Sequence, residues 1–271
     1  MSVLSRWLWT GQRFGLSPGK VLRRIANRAE PKVVCVCIPK AGTHLLERAL
    51  CLHPKLYRKI IPTLGPRNVG KRGGLIGVAS KLRPGQIVMT HLPYDAAYPP
   101  ALARMGVRTI FLIRDPRDIA VSQTYFVMST ADHWLHETFA ERSDFESRLR
   151  LAIEGAPGVG LESAGDRLEG FAGWLADADT VVRFEDLIGG AGGGDDVRQM
   201  KTLTRLYRTL GVQADEALCR FVVERLVSAK SPTFRRGMIG QWRTQIDDES
   251  AEVFKRVAGA QITRYGYGGD W

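Results

Sequence analysis

Residues 33–45 read VVCVCIPKAGTHL. The run 33–38 is continuously apolar and rich in valine, which is typical of a strand that is buried on both faces. The turn behind it contains Lys40, Gly42 and Thr43, and an apolar helical pattern follows. A glycine turn between a strand and a helix directs free backbone N–H groups and the positive end of the helix dipole at one point. The segment therefore predicts either an anion site, to which Lys40 would add a full charge, or an ordinary strand-to-helix turn.

The order of residues in this turn differs from that of a Walker A loop. In that motif four residues separate the first glycine from Gly-Lys-Ser/Thr, whereas here Lys40 precedes Gly42. The turn is therefore not predicted to be a Walker A loop.

Two further segments carry basic residues in contexts that suit anion binding. Residues 107–113 form a second apolar strand pattern, and RDPRDIAVS follows it. Asp115 can cap a helix whose first residue is Pro116. Arg114 then lies at the carboxyl end of its strand, where open α/β sheets bind ligands. The third segment is FRRGMIGQWR, at residues 234–243.

Five motifs, taken in this order, resemble the sulfotransferase family that uses 3′-phosphoadenosine 5′-phosphosulfate (PAPS). The matching segments are PKAGTHL at 39–45, THLP at 90–93, RDPRD at 114–118 with Ser122, FEDL at 184–187 and RRGMIGQWR at 235–243. In the family the first holds the 5′-phosphosulfate and the third, with its serine, holds the 3′-phosphate. The histidine of the second is the general base in the cytosolic branch.

The resemblance implies transfer of a sulfuryl group from PAPS to a hydroxyl or amine of an unidentified acceptor. It implies that Lys40 stabilises the leaving phosphate and that His91 takes the proton of the acceptor, with His44 as a competing base. Arginine suits phosphate because its planar fork donates two hydrogen bonds, and neutral imidazole accepts a proton near neutral pH. The PAPS-binding residues that it implies are Lys40, Ala41, Gly42, Thr43, His44, Leu45, Arg114, Ser122, Phe184, Arg235, Arg236 and Gly237.

Some positions depart from the family pattern. Met89 stands where the cytosolic branch has a second lysine, and Leu45 stands where a tryptophan often stacks on adenine. His44 or Lys71 could replace the missing sulfuryl contact. Phe184 is expected either against the adenine or in plain core packing at a strand end. His133 carries little weight at this stage, because it falls in a segment without clear periodicity.

Composition narrows the class of protein. The chain has 271 residues, 44% of them hydrophobic, and no apolar run approaches the 18 residues of a membrane span. The four cysteines show no metal-ligand spacing, so that we expect a reduced, cytoplasmic protein that uses no metal.

The net charge is +11, and residues 48–94 contain nine Lys or Arg and no Asp or Glu. This charge fits a solvated basic face, a nucleotide donor, an anionic acceptor or peripheral contact with an acidic membrane. Nucleic acid is not expected, because no recognition motif is present.

Alternating strand and helix patterns predict a single P-loop-like α/β domain, with a central parallel sheet and helices on both faces. Strands are predicted at 32–38, 86–90, 107–113 and 179–184, and helices at 43–52, 117–129, 166–176, 197–210, 215–229 and 248–259. The domain is expected to span 32–271, and the basic segment 1–31 is expected to pack on it as a helix or to lie on a membrane surface. Residues 62–77 and 130–165 lack strong periodicity and are predicted to be long loops over the acceptor.

Two other functions fit parts of the sequence. One is a small-molecule kinase with a P-loop, which the order of Lys40 and Gly42 disfavours. The other is a sulfotransferase-like nucleotide-binding protein without activity, which the departures at Met89 and Leu45 suggest. The acceptor and the oligomeric state do not follow from the sequence, since acceptor pockets are built from loops.

Overall fold

The computed structural model describes residues 30–227 and 237–269. Five strands form one sheet: β1 Lys32–Cys37, β2 Tyr57–Arg58, β3 Gln86–Thr90, β4 Val107–Ile113 and β5 Thr180–Arg183. Their order is β2-β3-β1-β4-β5 and every pairing is parallel. The predicted α/β fold with a central parallel sheet is confirmed. The two-residue strand β2 was not predicted, because it is too short to show a period.

Helices cover both faces of the sheet. In chain order they are α1 Thr43–Leu52, α2 Gly74–Ala79, α3 Tyr98–Arg104, α4 Pro116–Met128, α5 His136–Ala140, α6 Phe145–Glu154, α7 Ala164–Phe171, α8 Trp174–Asp177, α9 Phe184–Ile188, α10 Asp196–Thr209, α11 Glu216–Leu226, α12 Trp242–Gln245 and α13 Asp248–Arg264. Short 3₁₀ turns occupy Gly70–Arg72, Pro157–Val159 and Gly190–Gly192. None of the helices in the described ranges is long and apolar enough to cross a membrane.

The central strand β1 explains why the sequence 33–37 is apolar without alternation. It pairs with β3 on one side and β4 on the other, with Val34 opposite Val88 and Thr109. All residues from Val33 to Cys37 are fully buried, because both faces of the strand are covered. All four cysteines are buried, as expected for Cys35 and Cys37 in the core.

The segment 130–165 is not the long loop that the sequence predicted. It contains α5 and α6, and α6 begins at a capping box in which the Asp144 carboxylate accepts a hydrogen bond from the Ser147 N–H at 2.8 Å. Part of this segment forms a small second core with the end of α4, made of Val127, Leu135, Phe139, Leu151, Ala152 and Leu161. We call this the satellite core.

The predicted helix 166–176 is broken in the structure. It ends at Phe171 and resumes at Trp174, and Gly173 lies in the break. A Cβ atom at Gly173 would lie 2.3 Å from the Tyr94 ring, so that the glycine makes room for this ring. The predicted helix 215–229 is α11 as far as Leu226. The rest of that prediction from 228 onward, and nearly all of the segment 1–31, lie outside the described residues.

Candidate active site

The carboxyl ends of β1, β3, β4 and β5 meet at one edge of the sheet, and a cavity of about 660 Å³ opens there. Many of the predicted site residues line it: Lys40, Gly42, Thr43, His44, Leu45, His91, Arg114, Ser122, Phe184 and Gly237. Ala41 is fully buried beneath the loop and does not line the cavity. Arg235 and Arg236 lie outside the described residues. The parallel topology therefore brings together residues that are up to about 200 positions apart in the chain.

The loop after β1 has an unusual backbone. Lys40 has φ 70° and Gly42 has φ 105°, so that two residues in three adopt the left-handed region. Lys40 is the only residue other than glycine with positive φ in the described ranges, and such strain is concentrated at ligand sites. A Cβ atom at Gly42 would lie 2.5 Å from the Phe184 ring. Position 42 therefore requires glycine, both for its positive φ and for the close approach of the Phe184 ring. Helix α1 begins immediately after it, and no side chain caps its first N–H groups.

The Lys40 ammonium points into the cavity and lies 3.5 Å from the centroid of the Phe126 ring, which α4 provides. Burial, and then the nearby positive charge of Arg114, lower the pKa of Lys40 to about 8. A lysine held in this way gains from an anionic partner, because the partner restores the charge that burial disfavours.

His91 follows β3 and faces the same space. Its Nδ1 lies 2.8 Å from the backbone carbonyl oxygen of Cys37, and a carbonyl only accepts. The proton of neutral His91 is therefore on Nδ1, and Nε2 keeps its lone pair. Burial is the largest influence on the pKa of His91 and lowers it from the usual 6.5. The ring is thus neutral near pH 7 and presents an acceptor nitrogen, which is the state that a general base requires.

His44 is placed differently. Its side chain is 42% exposed, and Nδ1 lies 3.5 Å from a carboxylate oxygen of Glu47 one turn along α1. Glu47 is buried and also pairs with Arg58. His44 therefore lies at the rim of the loop and is attached to an ion pair, whereas His91 is fixed by a neutral carbonyl.

Arg114 is buried where β4 ends, in contact with three groups. It donates a hydrogen bond to the carbonyl oxygen of Met238 at 2.9 Å, its Nη2 lies 3.5 Å from Asp118, and its guanidinium lies 4.3 Å from the centroid of the Phe184 ring. Its buried Nε has no hydrogen-bond partner. An unpaired donor on a buried arginine at the cavity wall suits an anion such as a phosphate.

Asp118 explains how the segment 237–243 reaches this place. Its two carboxylate oxygens accept hydrogen bonds from the Gly240 N–H at 2.8 Å and the Trp242 N–H at 3.1 Å. The sequence identifies Asp118 only as the last residue of the RDPRD motif. The structure shows that it also attaches the late motif to α4, a role without a sequence signal because the two segments are more than 100 residues apart.

Comparison with known proteins agrees with this geometry. A family model described as sulfotransferase domain matches residues 77–171, a little over a third of the chain. The chain has the sulfotransferase fold. The structure of mouse sulfotransferase SULT7A1 complexed with PAP has a TM-score of 0.64 and 16% identity, covering 93% of this chain and 91% of that one. Retinol dehydratase in complex with androsterone and inactive cofactor PAP has a TM-score of 0.57 and 17% identity, covering 90% of this chain and 85% of that one. No curated protein sequence matches the chain.

The resemblance that the five motifs indicated is confirmed by the family match and by the shared fold. The cavity has two halves, which we name for the substrates that we propose to bind there. We call the part lined by 42–45, Arg114, Ser122, Phe184 and Gly237 the donor half. We call the part lined by Thr63–Arg67, Phe126–Leu135 and Gly160–Phe171 the acceptor half, although not every residue of these ranges contacts the cavity. Lys40 and His91 line the cavity beside both halves.

Phe184 packs against residues that line the donor half. Its ring is 4% exposed and is covered by Gly42 and by the guanidinium of Arg114. The next residue, Glu185, accepts hydrogen bonds from the Asp115 N–H and the Tyr267 hydroxyl, each at 2.8 Å. The segment 184–185 therefore contacts both the loop after β1, at Gly42, and the loop after β4, at Asp115. Anion binding by these loops and an adenine contact of Phe184 stay predictions.

Sequence reasoning missed most of the acceptor half. His133 packs edge-on against Phe126 at 5.5 Å between ring centroids, and its Nδ1 accepts a hydrogen bond from the Leu135 N–H at 3.2 Å. Its proton is therefore on Nε2, the opposite tautomer to that of His91. The Arg67 guanidinium lies 3.3 Å from the centroid of the exposed Trp134 ring and connects the two loops over this half. The contacts of His133 with Phe126 and of Arg67 with Trp134 have no sequence signal, because each joins two different segments of the chain.

Proposed function

We propose that this protein transfers a sulfuryl group from PAPS to a hydroxyl or amine of an acceptor. The observation that carries the proposal is that a lysine, a neutral histidine with a free acceptor nitrogen and a buried arginine with an unpaired donor converge on one cavity at the sheet edge. The mouse sulfotransferase and retinol dehydratase with this fold were both crystallised with PAP, the product that PAPS leaves.

The geometry supports a direct displacement. His91 Nε2 takes the proton of the acceptor hydroxyl while that oxygen forms a bond to sulfur. The bond between sulfur and the bridging phosphate oxygen breaks, and its electron pair leaves with the 5′-phosphate. Lys40 and the N–H groups at the start of α1 stabilise that developing charge, which is the principal task of a group-transfer site. Arg114 and Ser122 hold the 3′-phosphate and fix the position of the donor.

No group of three or more potential metal ligands occurs among the residues that the structure describes. The proposed electrostatic stabilisation comes from Lys40 and Arg114. Arg235 and Arg236 are proposed as further donor contacts on the strength of the sequence motif alone.

Location and partners are proposals as well. We propose a cytoplasmic enzyme whose acceptor is a small molecule, a lipid or a saccharide. Two basic residues of the segment 48–94, Arg48 and Arg67, line the cavity. The other basic residues of this segment could contact an acidic membrane surface.

The test is a calorimetric titration with adenosine 3′,5′-bisphosphate, AMP and ATP. We expect the bisphosphate to bind more tightly than AMP by roughly 2–4 kcal/mol, because AMP has no 3′-phosphate to accept a hydrogen bond from the buried, unpaired Nε of Arg114. Preference for ATP would favour the kinase, and equal affinities for bisphosphate and AMP would contradict the assignment of Arg114. Bisphosphate binding without turnover of radiolabelled donor across a broad acceptor panel would favour the inactive binding protein.

A further inference from the structure

Four arginines of the described residues are buried, and three of them have a carboxylate partner. Arg58 pairs with Glu47, Arg117 with Asp115 at 2.8 Å, and Arg114 with Asp118 at 3.5 Å. The fourth, Arg167 on α7, is 8% exposed. No carboxylate oxygen of the described residues lies within 4.0 Å of Arg167, which makes it the exception.

The contacts of Arg167 are neutral ones. Nη1 donates to the side-chain oxygen of Gln123, and Nη2 donates to the backbone carbonyl oxygen of Glu162 at 3.3 Å. Arg167 and Glu162 line the acceptor half of the cavity, and Gln123 lines the cavity just outside the ranges that define this half. The guanidinium is therefore positioned by two acceptors at the wall of the cavity, and its charge is not cancelled by a bonded anion.

A buried charge without an opposite charge is costly, and an anionic ligand would supply the opposite charge that Arg167 lacks. Burial lowers the pKa of Arg167 to about 10, and the carboxylate of Glu162 opposes this shift from beyond ion-pairing distance. The side chain is thus charged at neutral pH. Glu162 itself is exposed, and its carboxylate can remain in solvent.

The surroundings define the rest of the ligand. The lining of the acceptor half includes the apolar side chains of Phe126, Val127, Leu161 and Phe171. Gln123, which holds Arg167, lies one helical turn before Phe126, whose ring contacts the Lys40 ammonium. Side chains three residues apart on a helix are about 5–6 Å apart at Cβ. A compact molecule can therefore reach from the region of Lys40 to Arg167.

We infer that Arg167 binds an anionic group of the acceptor, so that the acceptor is a compact apolar molecule with a hydroxyl at one end and a carboxylate at the other. This inference rests on the proposed function for the identity of the reacting end. The carboxylate accepts hydrogen bonds from the guanidinium, and the apolar body packs against the Phe126 side of the cavity.

Matched pairs of ligands test the inference. The acids 4-hydroxybenzoate, 4-hydroxycinnamate and 6-hydroxy-2-naphthoate are titrated into the full chain by calorimetry, each beside its uncharged methyl ester, with and without saturating adenosine 3′,5′-bisphosphate. We expect at least one acid to bind about tenfold or more tightly than its ester, since a hydrogen bond to a charged group is involved. Failure of the bisphosphate to bind would contradict the proposed function, and the titrations without nucleotide would still report the anion preference.

Two variants separate ligand binding from a structural role. Arg167→Gln removes the charge and should abolish the preference for acids. Gln123→Glu keeps the arginine and gives it an internal carboxylate, which should also abolish the preference while the chain stays folded, even if Arg167→Gln does not fold. Arg104→Gln, on the exposed surface of α3, is the control and should keep it. Equal binding of all acids and esters by the wild type, no measurable binding of any acid, or a preference that survives in Gln123→Glu would overturn the inference.

Discussion

The donor half and the acceptor half of the cavity are built in different ways. The polar groups of the donor half follow adjacent parallel strands, and its arginine already has a protein carboxylate, Asp118, at 3.5 Å. The acceptor half comes from loops and helices around the satellite core, and its arginine has only neutral partners. A site on strand ends is fixed by the sheet, whereas a site on packed loops can change its ligand without changing the sheet.

The largest effect is expected where the two halves meet. His91→Ala should lower the rate by about 10²–10⁴, because no general base is then present to take the proton of the sulfuryl acceptor. The affinity for adenosine 3′,5′-bisphosphate should change little, since His91 acts on the other substrate. Single-turnover kinetics and calorimetry measure the two quantities on the same preparation.

The pH profile and His44 provide the controls for this prediction. A general base must be neutral, so that activity falls as pH drops through its pKa. Burial lowers the pKa of His91, which places the acid limb of the wild-type profile below pH 6.5. His44→Ala should weaken donor binding and keep the limb. If His44→Ala removes turnover while His91→Ala keeps both activity and the limb, the two roles are exchanged.

The next effect belongs to Lys40. Lys40→Ala should lower kcat by about 10²–10³, the usual loss for one group that stabilises transition-state charge. The affinity for the bisphosphate should fall much less, because the contact strengthens only as charge moves to the leaving oxygen. A variant that binds weakly but turns over normally at saturation would show that Lys40 serves only to dock the donor.

The fall of activity at alkaline pH depends on the same lysine. Lys40 must be charged to act, and its pKa in the free enzyme is lowered to about 8, so that kcat/KM should fall as pH rises through about 8. A bound anion raises that pKa, and the limb of kcat should lie at higher pH. Limbs of kcat and kcat/KM at the same pH would contradict this account.

A smaller effect is expected from Asp118, which holds the late motif against the donor half. Asp118→Asn should weaken bisphosphate binding by roughly 1–3 kcal/mol. The amide has only one acceptor oxygen, so that the N–H of either Gly240 or Trp242 loses its acceptor. Arg114 also loses the negative charge beside it. The kcat at saturation should be nearly unchanged. Asp186→Asn, a more exposed carboxylate 3.9 Å from Arg198, is the matched control and should leave the affinity as it is.

The smallest effect belongs to the acceptor half. Trp134→Ala removes the ring beneath Arg67 and should raise the KM of the acceptor about two- to fivefold, as expected for an exposed cation–π contact. The donor KM should not change. Phe221→Ala removes a comparable exposed ring beneath Arg225 on α11 and should alter neither KM. A change of donor KM in Trp134→Ala would show that the two halves are coupled.

Four of the five strands of the sheet, and the loops that follow β1 and β4, could be predicted from the amino-acid sequence alone. Valine-rich apolar runs such as 33–38 are typical of strands covered on both faces, and a glycine or an Asp-Pro pair directly behind such a strand marks a turn into a helix. Lys40, His91 and Arg114 could therefore be placed at one edge without coordinates. The cap at Asp115 and the buried cysteines also followed from local rules.

The other features could not be predicted, because they depend on contacts between segments whose sequences carry no sign of each other. The helices in 130–165, the break at Gly173 and the anchoring of Gly240 by Asp118 each require a partner far away in the chain. The same holds for the Nδ1 proton of His91, which a carbonyl on the neighbouring strand fixes, and for Arg167, whose lack of a carboxylate is visible only among its neighbours. Local patterns specify backbone conformation, whereas the charge state and the partners of a buried side chain are set by the fold that surrounds it.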